Sequence, residues 1–271
     1  MIKRILAVML VLGMISGCSG EVTEHKENKP VTEVEEITKE EVVVEEKKPE
    51  EIIMENEGKF SGKIICVDPG HGKTSRKETE PIYPGAKEKK AANVSGTAGK
   101  TITEEALNLQ IGLKLKEALE VEGATVYITR TTAESDISNV ERAEFANEKA
   151  CDIVVRIHAD GSESSSVSGI SMLIPSEKRI IEGYLTAEIV EKSRKAGEYI
   201  LNDVCENTGA GNNGMVERAD MTGFNWSAVP VVLLEVGFLT NPEEEALLVT
   251  GEYQEKIITG IMTGLEKYFN E

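Results

Sequence analysis

The chain has 271 residues, with 30 Lys and Arg against 48 Asp and Glu and a formal net charge of −18, which excludes the basic surface that nucleic-acid binding requires. Hydrophobic residues make up 40% of it, enough for a core, yet every aromatic lies between Phe60 and Phe269. The front of the chain therefore stands outside that core and leaves roughly 210 residues, the size of one α/β domain.

Lys3 and Arg4 precede a largely apolar run at 5–15, followed by Ser16, Gly17 and Cys18. A basic start, an apolar stretch and small residues before a cysteine make a secretory signal. The run is too short to span a bilayer, which takes about 20 apolar residues. The ISGC tetrad at 15–18 resembles a bacterial lipobox, whose cleavage leaves a diacylated cysteine, so Cys18 is the expected anchor to the outer face of the cell membrane. Residues 19–58 hold 14 Glu and 5 Lys and no aromatic. Such a segment buries too little surface to offset its ordering entropy and reads as an extended acidic tether. The expected organisation is a signal at 1–17, a lipidated cysteine and disordered tether at 18–58, and a folded domain at 59–271. Cys66, Cys151 and Cys205 then remain, an odd and scattered set that is neither a disulfide framework nor a thiolate zinc site.

Within the folded part, short β-branched runs at 63–67, 125–128, 152–157, 170–174 and 231–234 read as buried strands. Apolar residues at helical spacing, such as Leu107, Ile111, Leu115 and Leu119, predict helices at about 104–122, 138–149, 181–208 and 251–269. Asn241 and Pro242, with acids after them, read as a further helix start. Strands alternating with helices predict a three-layer α/β domain around a largely parallel sheet, with its chemistry at one end of the strands.

Three of the five runs end in metal-capable groups: DPGHG at 68–72, HAD at 158–160 and Glu235. His71 and His158 are the only histidines beyond the tether. Either one alone also reads as a structural residue, but together they suggest a zinc site, which in hydrolases commonly takes two His and one carboxylate and leaves a position for water. Glu104 and Glu105 open the first long helix beside the strand edge, and geometry alone does not choose between them.

These elements resemble the zinc-dependent N-acetylmuramoyl-L-alanine amidases, a cell-wall amidase family that opens with a strand and a DPGHG motif. The likeness runs over 62–269 in six ordered blocks: VDPGHG at 67–72, EEALNLQIGLKL at 104–115, TVYITRT at 125–131, ERAEFAN at 141–147, VRIHADG at 155–161 and VPVVLLEVGFLTNPEEEALL at 229–248. The resemblance implies a twisted six-stranded sheet flanked by helices, one Zn²⁺ per chain, and a peptidoglycan substrate cut between N-acetylmuramic acid and L-alanine. The family's ligands fall on His71, His158 and the acid four residues before the Asn of its ExxxNL pattern, which is Glu104 given Asn108. Its catalytic glutamate, in the LExGFxxN segment, falls on Glu235. Asp68 and Asp160 are expected to orient the two imidazoles or to close turns. Arg218, Asn225 and Trp226 are expected to line a substrate groove.

The chain departs from short family members at 72–103, a Gly-, Lys- and Thr-rich stretch expected to form a lid or cleft wall, or a disordered insertion. A subset of the family from Gram-positive, often spore-forming bacteria carries a similar insertion and an ERxDMTGFNW block, here at 217–226. Two rival readings stand beside the amidase: another zinc hydrolase such as a carboxypeptidase of stem peptides, and a surface binding lipoprotein on a decayed amidase fold. An activating protein partner is not identified by the sequence.

Overall fold

The computed structural model describes residues 58–74 and 76–271. The expected signal, Cys18 and nearly all of the tether lie outside them. The elements follow in the order β1 (Ile64–Pro69), β2 (Thr79–Pro81), β3 (Lys89–Ala91), α1 (Glu104–Val121), β4 (Thr125–Ile128), α2 (Asn139–Glu148), β5 (Ile153–Asp160), β6 (Ile170–Pro175), α3 (Ala187–Thr208), β7 (Asn212–Arg218), α4 (Thr222–Asn225), β8 (Val231–Phe238), α5 (Pro242–Leu248) and α6 (Gly251–Phe269).

Six strands form one sheet in the order β4-β1-β5-β8-β6-β7. β4, β1, β5 and β8 run parallel, β6 turns antiparallel to β8, and β7 runs parallel to β6. The central strands β1, β5 and β8 are covered on both faces, and this is why they read as nearly unbroken apolar runs. Alternation sorts their side chains. Ile65 and Val67, Val155 and Ile157, and Val232 and Leu234 enter the large core shared with α1, α3 and α6. Cys66, Val154 and Leu233 enter a smaller cluster with Ala146 of α2 and Phe224 of α4. The period of two then sets Asp68, Arg156, His158 and Glu235 on this second face, towards the C-terminal ends of their strands.

Local chemistry fixes the helices. In α1, Leu107, Ile111, Leu115 and Leu119 are all fully buried, and each contributes roughly 1.5–3 kcal/mol of apolar burial before entropy is counted. Ser138 and Glu141 form a reciprocal capping box at the start of α2. Asn241 caps α5 with Pro242 in its first turn. α6 lies close along α3 because a Cβ on Gly260 or Gly264 would fall 2.5 Å from the Cα of Val204 or Ile200.

The insertion is a folded wall. Its β2 and β3 pair antiparallel and are pinned from outside: Asn225 Nδ2 donates to Ile82 O at 2.9 Å, Trp226 Nε1 to Pro81 O at 3.0 Å, and Asn139 Nδ2 to Ala92 O at 3.1 Å.

Candidate metal centre

β1 ends in the turn that carries His71, whose φ of 59° lies in the left-handed region. For a residue with a Cβ that conformation costs on the order of 1–2 kcal/mol, so the surroundings must impose it. Two arginines do so. Arg130 Nε donates to Pro69 O and its Nη2 to Gly70 O, at 2.9 and 2.8 Å. Arg142 donates to Pro69 O and to His71 O. Arg142 and Arg156 are themselves held by the carboxylate of Asp68, which is 1% exposed. Burial alone would raise the Asp68 pKa, but the two guanidiniums overcome that and hold it well below the usual carboxylate range.

Of the two alternatives expected for Asp68 and Asp160, orienting the imidazoles or closing turns, the first is therefore corrected. Asp68 accepts from arginines and Thr129, and Asp160 accepts from the Gly161 N–H. The His71 ring is instead oriented by the insertion, with Nδ1 2.8 Å from Val94 O. That contact makes Nδ1 the proton-bearing nitrogen and leaves the Nε2 lone pair facing inward.

Glu104, at the first position of α1, stands where the inward nitrogens point. Its Oε1 lies 3.1 Å from His71 Nε2 and 3.0 Å from His158 Nδ1. Its Oε2 accepts from the Thr97 N–H at 2.8 Å. Burial raises the Glu104 pKa, but its contacts with His158 and His71 outweigh this and keep the group ionised. Burial pushes His158 down to about 4, so its imidazole is neutral near pH 7. Glu105 stays apart, half-buried, with its carbonyl accepting from Arg130.

A neutral His71 that donates through Nδ1 presents a lone pair to a carboxylate oxygen, acceptor against acceptor, and only a cation or a further proton between them relieves the repulsion. Two imidazole nitrogens and one carboxylate oxygen, all within 4.8 Å of one another, form the one such cluster among the described residues. Zinc ligands about 2.0–2.1 Å from a shared tetrahedral centre stand roughly 3.4 Å apart, close to the two separations from Glu104 Oε1. The cradle is tight: a Cβ on Gly70 would fall 2.1 Å from His158 Nε2, and one on Gly96 2.3 Å from Glu104 Oε2. These residues fit a zinc ion.

Glu235 lies beside His158 in register on β8 and lines the same cavity, of about 490 Å³. Its Oε2 is buried with no hydrogen-bond partner. Burial raises its pKa well above the ordinary value, and the charges of Glu104 and Asp160 push it further. Of the expected groove residues only Arg218 lines a cavity here, next to this one. Asn225 is fully buried and Trp226 packs edge-on against Tyr184, so both serve to hold the hairpin rather than to face a groove.

Sequence reasoning assigned no role to Val94, Arg130 or Arg142. The available signal for Arg142 was a charged residue on the alanine face of α2, beside Ala143 and Ala146.

A mostly parallel α/β sheet with a His, Glu, His cluster able to hold a metal and an unpaired glutamate at its strand ends defines a hydrolase class. The family model described as N-acetylmuramoyl-L-alanine amidase matches residues 65–267, and the chain belongs to that family. The germination-specific N-acetylmuramoyl-L-alanine amidase of Bacillus subtilis is 27% identical over 215 residues, covering 78% of this chain and 82% of the relative. The crystal structure of the amidase Ami1 from Mycobacterium smegmatis matches with a TM-score of 0.69 at 25% identity, over 78% of this chain and 98% of that one. The CwlD amidase of Clostridioides difficile, solved in complex with the GerS lipoprotein, matches with a TM-score of 0.61 at 25% identity, over 77% and 98%. No described helix is long and apolar enough to cross a membrane.

Proposed function

We propose that the chain hydrolyses the amide bond between N-acetylmuramic acid and L-alanine in peptidoglycan, with one Zn²⁺ held by His71 Nε2, His158 Nδ1 and a Glu104 carboxylate oxygen. The observation that carries this reading is the convergence of those three side chains in the cavity that also holds the partnerless Glu235 carboxyl. Bound there, zinc supplies a Lewis acid for the scissile carbonyl and lowers the pKa of a water towards about 7.

The chain's own groups divide the remaining work. Glu235 takes a proton from the attacking water and delivers it to the departing amine of L-alanine. Burial and the charges of Glu104 and Asp160 raise its pKa, which helps it hold that proton until the amine departs. The arginine-held turn keeps His71 in a conformation it would not hold alone, and the Val94 carbonyl fixes the ring tautomer.

Outside the described residues, Cys18 carries the lipid that holds the enzyme to the outer face of the membrane, and the acidic tether confines it beside its polymer without electrostatic help. The likeness to an amidase solved with a lipoprotein supports looking for a protein partner of this chain as well.

The test is mass spectrometry of peptidoglycan incubated with the protein and zinc. New N-terminal L-alanine with intact muramic acid is expected. Amino acids released from the far end of the stem peptide, with the sugar bond intact, would mean a carboxypeptidase instead.

A further inference from the structure

Two cavities adjoin at the strand ends, on either side of the stretch 94–97. Ser95, Gly96 and Thr97 face the metal-centre cavity, where Glu104, Asp160, Glu163 and Glu235 bring four carboxylates beside the hydroxyls of Ser162 and Thr240. Val94 faces the second cavity, of about 420 Å³, lined by Lys90, Arg218 and Asp220 with apolar Ala91 and Met221. In a chain with a net charge of −18, this second cavity is locally cationic. Arg218 grips Asp220 in a two-point contact at 2.8 and 3.0 Å, and Lys90 Nζ reaches the same carboxylate at 2.9 Å. Two cations against one anion leave 2 − 1 = +1, on side chains 41% and 39% exposed for Lys90 and Arg218. Arg156 also lines the wall, but its charge is committed to Asp68.

The two cavities therefore sort a substrate by charge. An anionic arm is attracted to the uncompensated cation of the second. A hydroxyl-rich sugar suits the Ser162 and Thr240 side. Resting on the amidase reading, we propose that Lys90 and Arg218 bind a free carboxylate on the substrate's peptide, which lays the peptide along the Val94 and Met221 cavity and the sugar towards Ser162 and Thr240. Lys90 belongs to β3, so the insertion supplies one of the two recognising charges. Asp220 competes with the substrate for both cations and sets how strongly the carboxylate is preferred.

The competition makes the test directional. Muropeptides released by a muramidase, identical except that the second stem residue is D-glutamate or its α-amide D-isoglutamine, are given to the full chain in detergent with zinc, and kcat/KM is measured for each. The wild type should prefer the free acid by about two- to fivefold, mainly through KM, as expected for a partly exposed charge-assisted contact. Lys90→Gln and Arg218→Gln should each bring the acid-to-amide ratio towards one, and Asp220→Asn should raise it. A loss of folding would change both substrates together and leave the ratio in place. A wild-type ratio near one, or a ratio that the three variants leave alone or move in one direction, overturns the inference while the amidase reading stands. Failure to cut either muropeptide at the muramoyl amide overturns both.

Discussion

Asp68→Asn keeps the shape of the side chain and removes only its charge, so it isolates the electrostatic anchor beneath the site. In the folded protein Asp68 is 1% exposed and is shared by Arg142 and Arg156, each 4% exposed. An amide cannot neutralise two buried guanidiniums. Breaking a buried ion pair on one side costs about 3–5 kcal/mol. At roughly 2–4 °C per kcal/mol for a domain of this size, the unfolding midpoint should fall by about 10 °C. Because Arg142 also holds the His71 carbonyl, zinc affinity should fall about 10–100-fold, as it does when partners of metal ligands are lost. Thermal unfolding with and without zinc, together with competition against a chelator, measures both effects.

The sign of the pH dependence follows from the same group. The folded Asp68 pKa is depressed, so its stabilisation is complete above the ordinary aspartate value near 3.9 and is lost progressively as pH falls below it. The variant should therefore show a flatter acid limb than the wild type between about pH 5 and 2. A midpoint within about 2 °C of the wild type at pH 7, with an unchanged acid limb, would refute the argument.

Glu235→Gln should retain about one zinc per chain while turnover of peptidoglycan falls by about 10²–10⁴, the usual contribution of a positioned general base; near-normal digestion of cell walls by this variant rules out its role. Gly264→Val should lower the urea midpoint by the equivalent of about 1–3 kcal/mol or more, since the new Cβ would meet the Ile200 backbone; an unchanged midpoint means that α6 is not seated as described. Cys18→Ala should abolish metabolic labelling with palmitate and release the protein from the membrane fraction, and retained label excludes the lipid anchor.

Much of this architecture is legible in the chain because its signals are local. The covered strands β1, β5 and β8 are continuous β-branched runs, and α1 declares itself through four leucine and isoleucine residues at helical spacing. β7 escapes such reading because NNGMVER is polar and mostly exposed at the sheet edge, so its pairing with β6 sets its structure. The β2 and β3 hairpin escapes it too: its three-residue strands carry no apolar alternation and are held by side chains more than 130 residues away. For the same reason Asn225 and Trp226, polar and aromatic in a loop, look like groove residues in the sequence and prove to be the hairpin's anchors.

The site divides in the same way. His71, His158 and Glu235 are recognisable because each closes a strand, whereas the choice of Glu104 over Glu105 depends on which carboxylate α1 turns inward. The network beneath the site is not legible, since Asp68 meets Arg142 and Arg156 across 74 and 88 residues of sequence.

The most direct measurement is an anomalous difference map at the zinc absorption edge from crystals grown with zinc. The account predicts one peak within about 2.0–2.2 Å of His71 Nε2, His158 Nδ1 and a Glu104 oxygen, lost in His158→Ala. No peak between those atoms, or a peak that His158→Ala leaves in place, would contradict it.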